Sequence, residues 1–411
     1  MKNTQNIQKH KALYRLYKFK YTSKFRSSLI LTTVCGSIGI IIAIFYYLCK
    51  NLFSPESISR IYTDNIFYYI NMPLKTLSRI SPFSIGELLL YIAIIFILYS
   101  FFKMIVITVK MLISYHIIKK SEHPVELSHS LKPLASFGFR LTSLLCVIVS
   151  IFILFGGINY TGLTYSEKAG LISEKYTTQD LKSLCIYLGS QASNERKNLK
   201  VNFNNAIDEN YPGYNPYKLA EDAQIAYKNI PDYYGVTKRE YPNVKYAFSS
   251  QLMSNLFITG IYPYVFPEAI VNIETPIMAL PHTICHEMAH QRGFAREDEA
   301  NFISYLACIN SENPLLRYSG YYTAFSYAME KLYIYDNESW NNIFLSIDRG
   351  VILDINRETA YWDTFHTTGS ELTQTVNNAY LSAMGSENGT QSYGQVVDLL
   401  IADAKRSGVI I

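Results

Sequence analysis

His286-Glu287-Met288-Ala289-His290 places two imidazoles four residues apart, with a carboxylate beside the first. On an α-helix residues i and i+4 share a face, so both rings can reach one tetrahedral Zn2+. Glu287 then sits where it can touch a zinc-activated water as general base without binding the metal. A chain of this length and histidine content carries such a string by chance roughly once in a hundred. The surroundings favour a helix here, because Pro281 is tolerated in a first turn and Gly293 suits a helix end. Three of the four histidines beyond residue 160 fall within nine residues, at His282, His286 and His290, with His366 apart. The chemistry implied is metal-assisted hydrolysis with Zn2+ as cofactor.

The third ligand needs a separate argument. Gly293 occupies the glycine of the longer H-E-x-x-H-x-x-G-x-x-H pattern, but Arg296 stands where that pattern has its last His, and a guanidinium cannot ligate. The next residues, Glu297-Asp298-Glu299-Ala300-Asn301, resemble the E-x-x-A-D/N string of gluzincin-type peptidases. In those enzymes the leading Glu binds zinc and the Asp or Asn supports a ligand His. A helix starting near Arg296 puts Glu297 and Asn301 on one face and points Glu299 elsewhere. The metal set is thus His286, His290 and Glu297, with Glu299 the alternative to Glu297. Acids in a first helical turn also complement the helix dipole, and some of the three serve only that. Candidate donors to an oxyanion are His282, His366, Arg292 and several tyrosines. The β-prone run Ala269 to Ile273 reads either as an edge strand aligning an extended substrate or as a plain core strand.

These residues need a scaffold, and the two parts of the 411-residue chain offer different ones. The charge is +4, from 37 Lys+Arg and 33 Asp+Glu, with 49% hydrophobic residues, which excludes a disordered tail and a small disulfide framework. Residues 1–159 hold 18 basic and 5 acidic side chains, whereas 160–411 hold 19 and 28. In the basic part, Ser27 to Cys49 and Leu141 to Ser166 carry no charge, and Leu88 to Val109 carries only Lys103. Each run has the roughly 20 residues a bilayer-spanning helix needs, giving transmembrane helices at about 28–49, 88–109 and 141–158.

Basic residues crowd before the first run and flank the second connection (Lys110, Lys119, Lys120, Lys132, Arg140). That bias places both in the cytoplasm and delivers the C-terminal part to the other side. No small-residue cleavage site follows the first run, which reads as an anchor. The basic N-terminus reads as a topogenic signal in contact with lipid, with no nucleic-acid partner. The first connection, Asn51 to Gly86, is rich in aromatics, and its Pro-bounded pieces suit a short interfacial helix.

In the outer part, Thr177 or Thr178 can cap a helix with Leu181, Leu184, Cys185 and Leu188 on one face. Lys245 to Pro276 is strand-like, and helical patterns recur around Ser370 to Met384 and Gln395 to Lys405. Cys185, Cys285 and Cys308 read as buried thiols, with a single bridge left open.

At these residues the chain resembles a family of bacterial, membrane-anchored, zinc-peptidase-like proteins of unknown function. The resemblance runs through Tyr241-Pro242, Met253-Ser254, Ile258 to Tyr262, Glu268-Ala269, Val271-Asn272 and His282 to Leu306. It returns at Arg317 to Tyr321 and Gly389 to Leu400. It implies an integral membrane protein with a zinc-peptidase-like site and leaves the substrate open. The reading is an α+β protein with three N-terminal transmembrane helices (1–159) and a mostly helical gluzincin-like zinc-peptidase domain (160–411). That domain lies outside the cytoplasm of a bacterial cell and cuts a peptide or protein substrate. The alternative is a membrane sensor or interaction protein whose zincin domain binds zinc but cuts weakly or only itself. The intact Glu287 favours the peptidase, because a structural site has no need of a base.

Overall fold

The computed structural model describes residues 2–119, 127–171, 175–230, 239–264, 266–365, 375 and 393–410. The helical pattern expected around Ser370 to Met384 lies outside the described residues, apart from residue 375. In chain order the helices are α1 (Lys2–Leu52), α2 (Pro55–Ile58), α3 (Phe67–Ile80), α4 (Ile85–Lys119), α5 (Leu127–Phe155), α6 (Tyr165–Lys168) and α7 (Thr178–Lys197). They continue with α8 (Pro216–Ala226), α9 (Ser250–Asn255), α10 (Leu280–Gln291), α11 (Glu297–Ile309), α12 (Pro314–Tyr335), α13 (Asn337–Ser346), α14 (Arg349–Asp363) and a last described helix, Tyr393–Arg406. A π-helix, Ser59–Ile66, joins α2 to α3. The strands are β1 (Lys245–Tyr246), β2 (Gly260–Ile261) and β3 (Ile270–Val271), so the chain is mostly helical with few strands.

The chain forms two compact units, Met1–Asn51 with Leu88–Leu154, and Leu52–Glu87 with Phe155–Ile411. Three helical stretches are long and apolar enough to cross a membrane: Thr22–Leu52, Ile85–Val109 and Lys132–Phe155. They fall on the expected runs. In the first unit α1 meets α5 through small and hydroxylic residues. Thr32 Oγ1 donates to the Phe139 carbonyl at 2.6 Å and lies 2.9 Å from Ser143 Oγ, and Arg140 Nε donates to Ser28 Oγ at 3.0 Å. Such contacts hold helices together where the surroundings offer no hydrophobic driving force.

The second unit is built on a buried helical core. Thr177 caps α7 through a reciprocal box: its hydroxyl accepts from Asp180 N while the Asp180 carboxylate accepts from Thr177 N. The inward face of α7 is Leu181, Leu184, Cys185 and Leu188, as the spacing predicts. Cys185, Cys285 and Cys308 are buried free thiols. At the far end of α7, Arg196 pairs with Asp354 of α14, whose carboxylate also accepts from Tyr318 at 2.8 Å and Arg357 at 3.0 Å.

The strands form one small sheet in the order β1-β3-β2, parallel between β1 and β3 and antiparallel between β3 and β2. Ile270 and Val271 are therefore central, which excludes the edge-strand reading of Ala269 to Ile273. The edge beside α10 is β2.

The boundary expected at residues 159 and 160 does not coincide with that of the compact unit, which also takes in Leu52–Glu87. Three buried acids account for this. Glu87 accepts from Phe248 N, Ser249 N and Ser249 Oγ at 2.6–2.8 Å. Glu268, just before the sheet, accepts from Ser84 Oγ at 2.9 Å and Gly86 N at 2.8 Å. Asp64 of the π-helix pairs with Lys168 of α6 at 2.8 Å, both side chains almost fully enclosed. Separating the segments would strand these charges, and a buried charge without its partner is costly.

Removing one member of a buried pair costs about 3–5 kcal/mol, or about 10 °C of thermal midpoint in a domain of this size. Asp354→Ala should lower the midpoint of the detergent-solubilised chain by that amount. Arg79→Ala, which removes an exposed pair with Glu240, should shift it by less than about 2 °C.

Candidate metal centre

The helix carrying the two histidines is bounded as its sequence requires. Pro281 lies in the first turn of α10, where its missing N–H has no helical partner to lose. At the other end Gly293 adopts φ +97°. Gly293 N donates to His290 O at 3.0 Å and Phe294 N to Ala289 O at 3.3 Å, closing the helix. A Cβ at Gly293 would be strained by that φ and would press to 3.2 Å from Thr63 Cγ2 and 3.3 Å from Phe67 Cε1. After Phe294-Ala295-Arg296 the chain re-enters a helix, with extended Arg296 as N-cap and Glu297 as the first residue of α11. The reversal returns Glu297 to the face of α10 that carries both imidazoles.

His286 Nε2 lies 3.1 Å from His290 Nε2 and 3.2 Å from Glu297 Oε2, and His290 Nε2 lies 3.6 Å from Glu297 Oε1. One ligand atom from each residue falls within 4.8 Å of the other two. Ligands at about 2.0–2.1 Å around a tetrahedral Zn2+ stand about 3.3 Å from one another, so these three residues fit zinc. The His290 ring is oriented for it. Its Nδ1 lies 2.7 Å from the Phe294 carbonyl oxygen, which only an N–H can satisfy, and this leaves Nε2 facing the site.

Two imidazole nitrogens and a carboxylate aimed at one point repel one another unless a cation lies between them. Without metal, a proton fills that role. Burial works against a charged His290, but Glu297 outweighs it and pushes the imidazole pKa up to about 9. Burial also works against an ionised Glu297, yet His290 and His286 hold its carboxyl well below the usual range.

Glu287 is almost fully buried, and its Oε2 has no hydrogen-bond partner among the described residues. Burial pushes its pKa up to about 7, against the pull of the two histidines and with a smaller push from Glu297. The backbone of β2 passes directly over it. A Cβ on Gly260 would come within 2.6 Å of Glu287 Cγ. Asn272 fixes that approach, donating to Ser254 Oγ and Ile258 O while its own N donates to Thr259 O.

The other expected residues have different surroundings. Glu299 turns away from the histidines; its carboxylate accepts from Tyr165 N, Ser166 N and Ser166 Oγ at the start of α6. Asn301, expected to support a ligand His, accepts instead from Tyr327 at 3.3 Å, and His286 Nδ1 is buried without a partner among the described residues. His282 is buried one turn before His286, its carbonyl and amide held by Ser304 and Ser319. The Arg292 guanidinium lies over Tyr227 at 3.9 Å and donates to Met288 O and Gln224 Oε1, as a strut beneath the helix end. His366 lies outside the described residues. Two neighbours escaped the spacing argument: Gly260 and Tyr262, whose ring stacks on His290 with centroids 6.5 Å apart. Both lie in the Ile258 to Tyr262 string that carries the family resemblance, the one sequence signal pointing at them.

A comparison with protein families matches residues 62–401 to one described as a protein of unknown function (DUF3810). No match is found among curated proteins or among solved structures.

Since His290 must give up its proton to ligate, zinc added to metal-free protein at pH 7.5 should release about one proton per chain. Affinity should fall about tenfold per pH unit below about 9. Calorimetry in buffers of different ionisation enthalpy measures both. Glu297→Ala should lose the metal by elemental analysis, and Glu299→Gln should keep it.

Proposed function

We propose that this chain, which belongs to the DUF3810 family, is a membrane-anchored zinc metallopeptidase that hydrolyses peptide bonds outside the cytoplasm. One observation carries the reading: His286, His290 and Glu297 meet with ligand atoms 3.1–3.6 Å apart while Glu287, adjacent in sequence, is not among them. A purely structural zinc site is closed by four protein ligands, whereas three ligands and a neighbouring base suit hydrolysis.

Bound there, zinc supplies Lewis acidity for a peptide carbonyl and for an attacking water. Glu287 would take the proton from that water and pass it to the leaving amine. Gly260 leaves the space in which the Glu287 carboxyl moves. Burial keeps the Tyr262 phenol protonated well beyond its usual range, and its stacking on His290 makes it a candidate donor to the developing oxyanion. As an edge strand among the described residues, β2 suits an extended substrate, which would add to the sheet by main-chain hydrogen bonds.

Two observations support the proposed sidedness. Leu52–Glu87 and Phe155–Ile411 share one compact unit, so the two apolar helices between them make a return passage. The Lys and Arg bias then assigns the N-terminus and second connection to the cytoplasm, and this unit to the outside.

Glu287→Gln should lower hydrolysis of a peptide library at least about a hundredfold, with zinc still bound at one per chain. Gly260→Ala should lower it similarly by displacing the Glu287 side chain, with zinc retained. Full activity in Glu287→Gln would end the peptidase reading.

A further inference from the structure

The segment that reaches the metal helix from the first connection has its polarity reversed. Along the π-helix and α3, six of the eight buried positions are polar, Ser59, Thr63, Asp64, Asn71, Lys75 and Ser78, beside Tyr62 and Phe67. The outward positions include Ile66, Tyr69, Ile70, Leu77 and Ile80, with exposures from 41% to 75%. At about 100° per residue, Ile66, Ile70, Pro73, Leu77 and Ile80 fall in one stripe, with Tyr69 beside it. Asn65, Thr76 and Arg79, also exposed, border that stripe. A helix on a protein surface in water presents the opposite pattern, with its apolar stripe inward.

The buried stripe is held by specific contacts. The Lys75 ammonium lies over the rings of Tyr241 at 4.1 Å, Tyr68 at 4.6 Å and Phe67 at 5.7 Å. Asn71 Nδ2 donates to Phe67 O, and Asp64 pairs with Lys168. A rotation that hid the apolar stripe would break this set, so the outward face is fixed. The chain also identifies what covers it. The segment is continuous with an apolar span at each end, following one that runs to Leu52 and preceding one that begins at Ile85. With exposed Leu52 and Phe53 at one end and Ile80 and Phe83 at the other, both ends begin at a bilayer surface. Their occupant is lipid.

We infer that the Ser59–Ile80 segment lies in the headgroup and acyl boundary of the bilayer, and that the metal centre above it takes polypeptide close to the membrane surface as substrate. The second clause rests on the peptidase reading; the first does not. The distance argument is short. Phe67 and Thr63, on the buried face of the segment, are the side chains against which Gly293 packs, and Gly293 follows His290 by three residues. One helix diameter of 10–12 Å plus that step puts the zinc ligands roughly 20 Å from lipid. Peptide bonds within a few residues of a membrane-embedded segment fall in that range. A bond far out in a soluble domain reaches the site only when its chain bends back.

The test uses the full chain in nanodiscs containing brominated phosphatidylcholine. Tryptophan placed on the outward stripe (Ile70→Trp, Leu77→Trp) should lose at least half of its added fluorescence to bromine, over the baseline of Trp340 and Trp362. Asn65→Trp and Thr76→Trp, on the border, should lose clearly less. Equal, weak quenching at all four positions overturns the lipid contact, whether the face is then free or covered by a protein. The substrate clause is read separately, with Ile70→Glu/Leu77→Glu against wild type at equal zinc content. The expected result is cleavage of a lipid-tethered peptide reduced at least fivefold and of the same free peptide unchanged. Equal loss on both peptides, or on neither, overturns membrane-proximal selection. If wild type cuts neither peptide, the substrate clause falls with the peptidase reading, and the quenching result stands alone.

Discussion

Two imidazole nitrogens and a carboxylate held 3–4 Å apart are tolerated only with a cation among them, a metal or a proton, and the fold must bring them together. Left to itself Glu297 would turn to solvent and each histidine would find its own partner. Several devices prevent this. Gly293 reverses the chain in a conformation other residues resist, and the Phe294 carbonyl fixes one ring. Two residues beyond the carboxylate ligand, Glu299 is pinned to the amides of α6, so α11 cannot rotate without releasing a buried acid. Lys168 at the other end of α6 is pinned to Asp64. The ligand set is thus held from behind by a relay of buried charges that ends in the first connection.

That relay explains what the sequence made legible and what it concealed. Local rules sufficed where cause and effect lie within one helix. The i, i+4 histidines, the Thr177 box, the four apolar residues on α7, the Gly293 stop and the charge-free spans all fall where spacing puts them. Glu297 was a harder case, since its approach depends on a tight turn between helices, yet the acid run after Arg296 restricted the choice to two residues. The sequence could not disclose pairings across long separations. Nothing in the neighbourhood of Glu87, Glu268 or Asp64 says which amide or ammonium each will meet, and each was open to a surface reading. The role of Gly260 was hidden for the same reason, although its string carried the resemblance: the residue that needs its missing side chain lies 27 positions away.

The short strands illustrate a different limit. Lys245 to Pro276 has strand-like composition, but only four residue pairs form its ladders. The segment is organised instead by the Asn272 side chain, which donates to Ile258 O and Ser254 Oγ, and by Glu268, which accepts from Gly86 N; these bonds substitute for sheet hydrogen bonds where the chain must pass close to Glu287 and then turn away. Period-two patterning sees composition and misses that substitution.

The compact unit is discontinuous in sequence, with two apolar helices and the connection between them inserted after Glu87. This sets an order on its biogenesis. Residues 52–87 leave the ribosome well before the residues they pack against, and at about 5–20 residues per second the last helix follows many seconds later. During that interval Asp64 lacks Lys168, Lys75 lacks Tyr241 and Glu87 lacks Phe248 and Ser249, and the apolar stripe is what guides the segment. A stripe that partitions into lipid parks the segment at the membrane surface, where the rest of the unit will arrive. The ligand helices come late and are braced only once both earlier parts are in place. On the peptidase reading, a centre assembled in this order remains unformed in a nascent or mis-inserted chain, and topology becomes a checkpoint on the proposed activity.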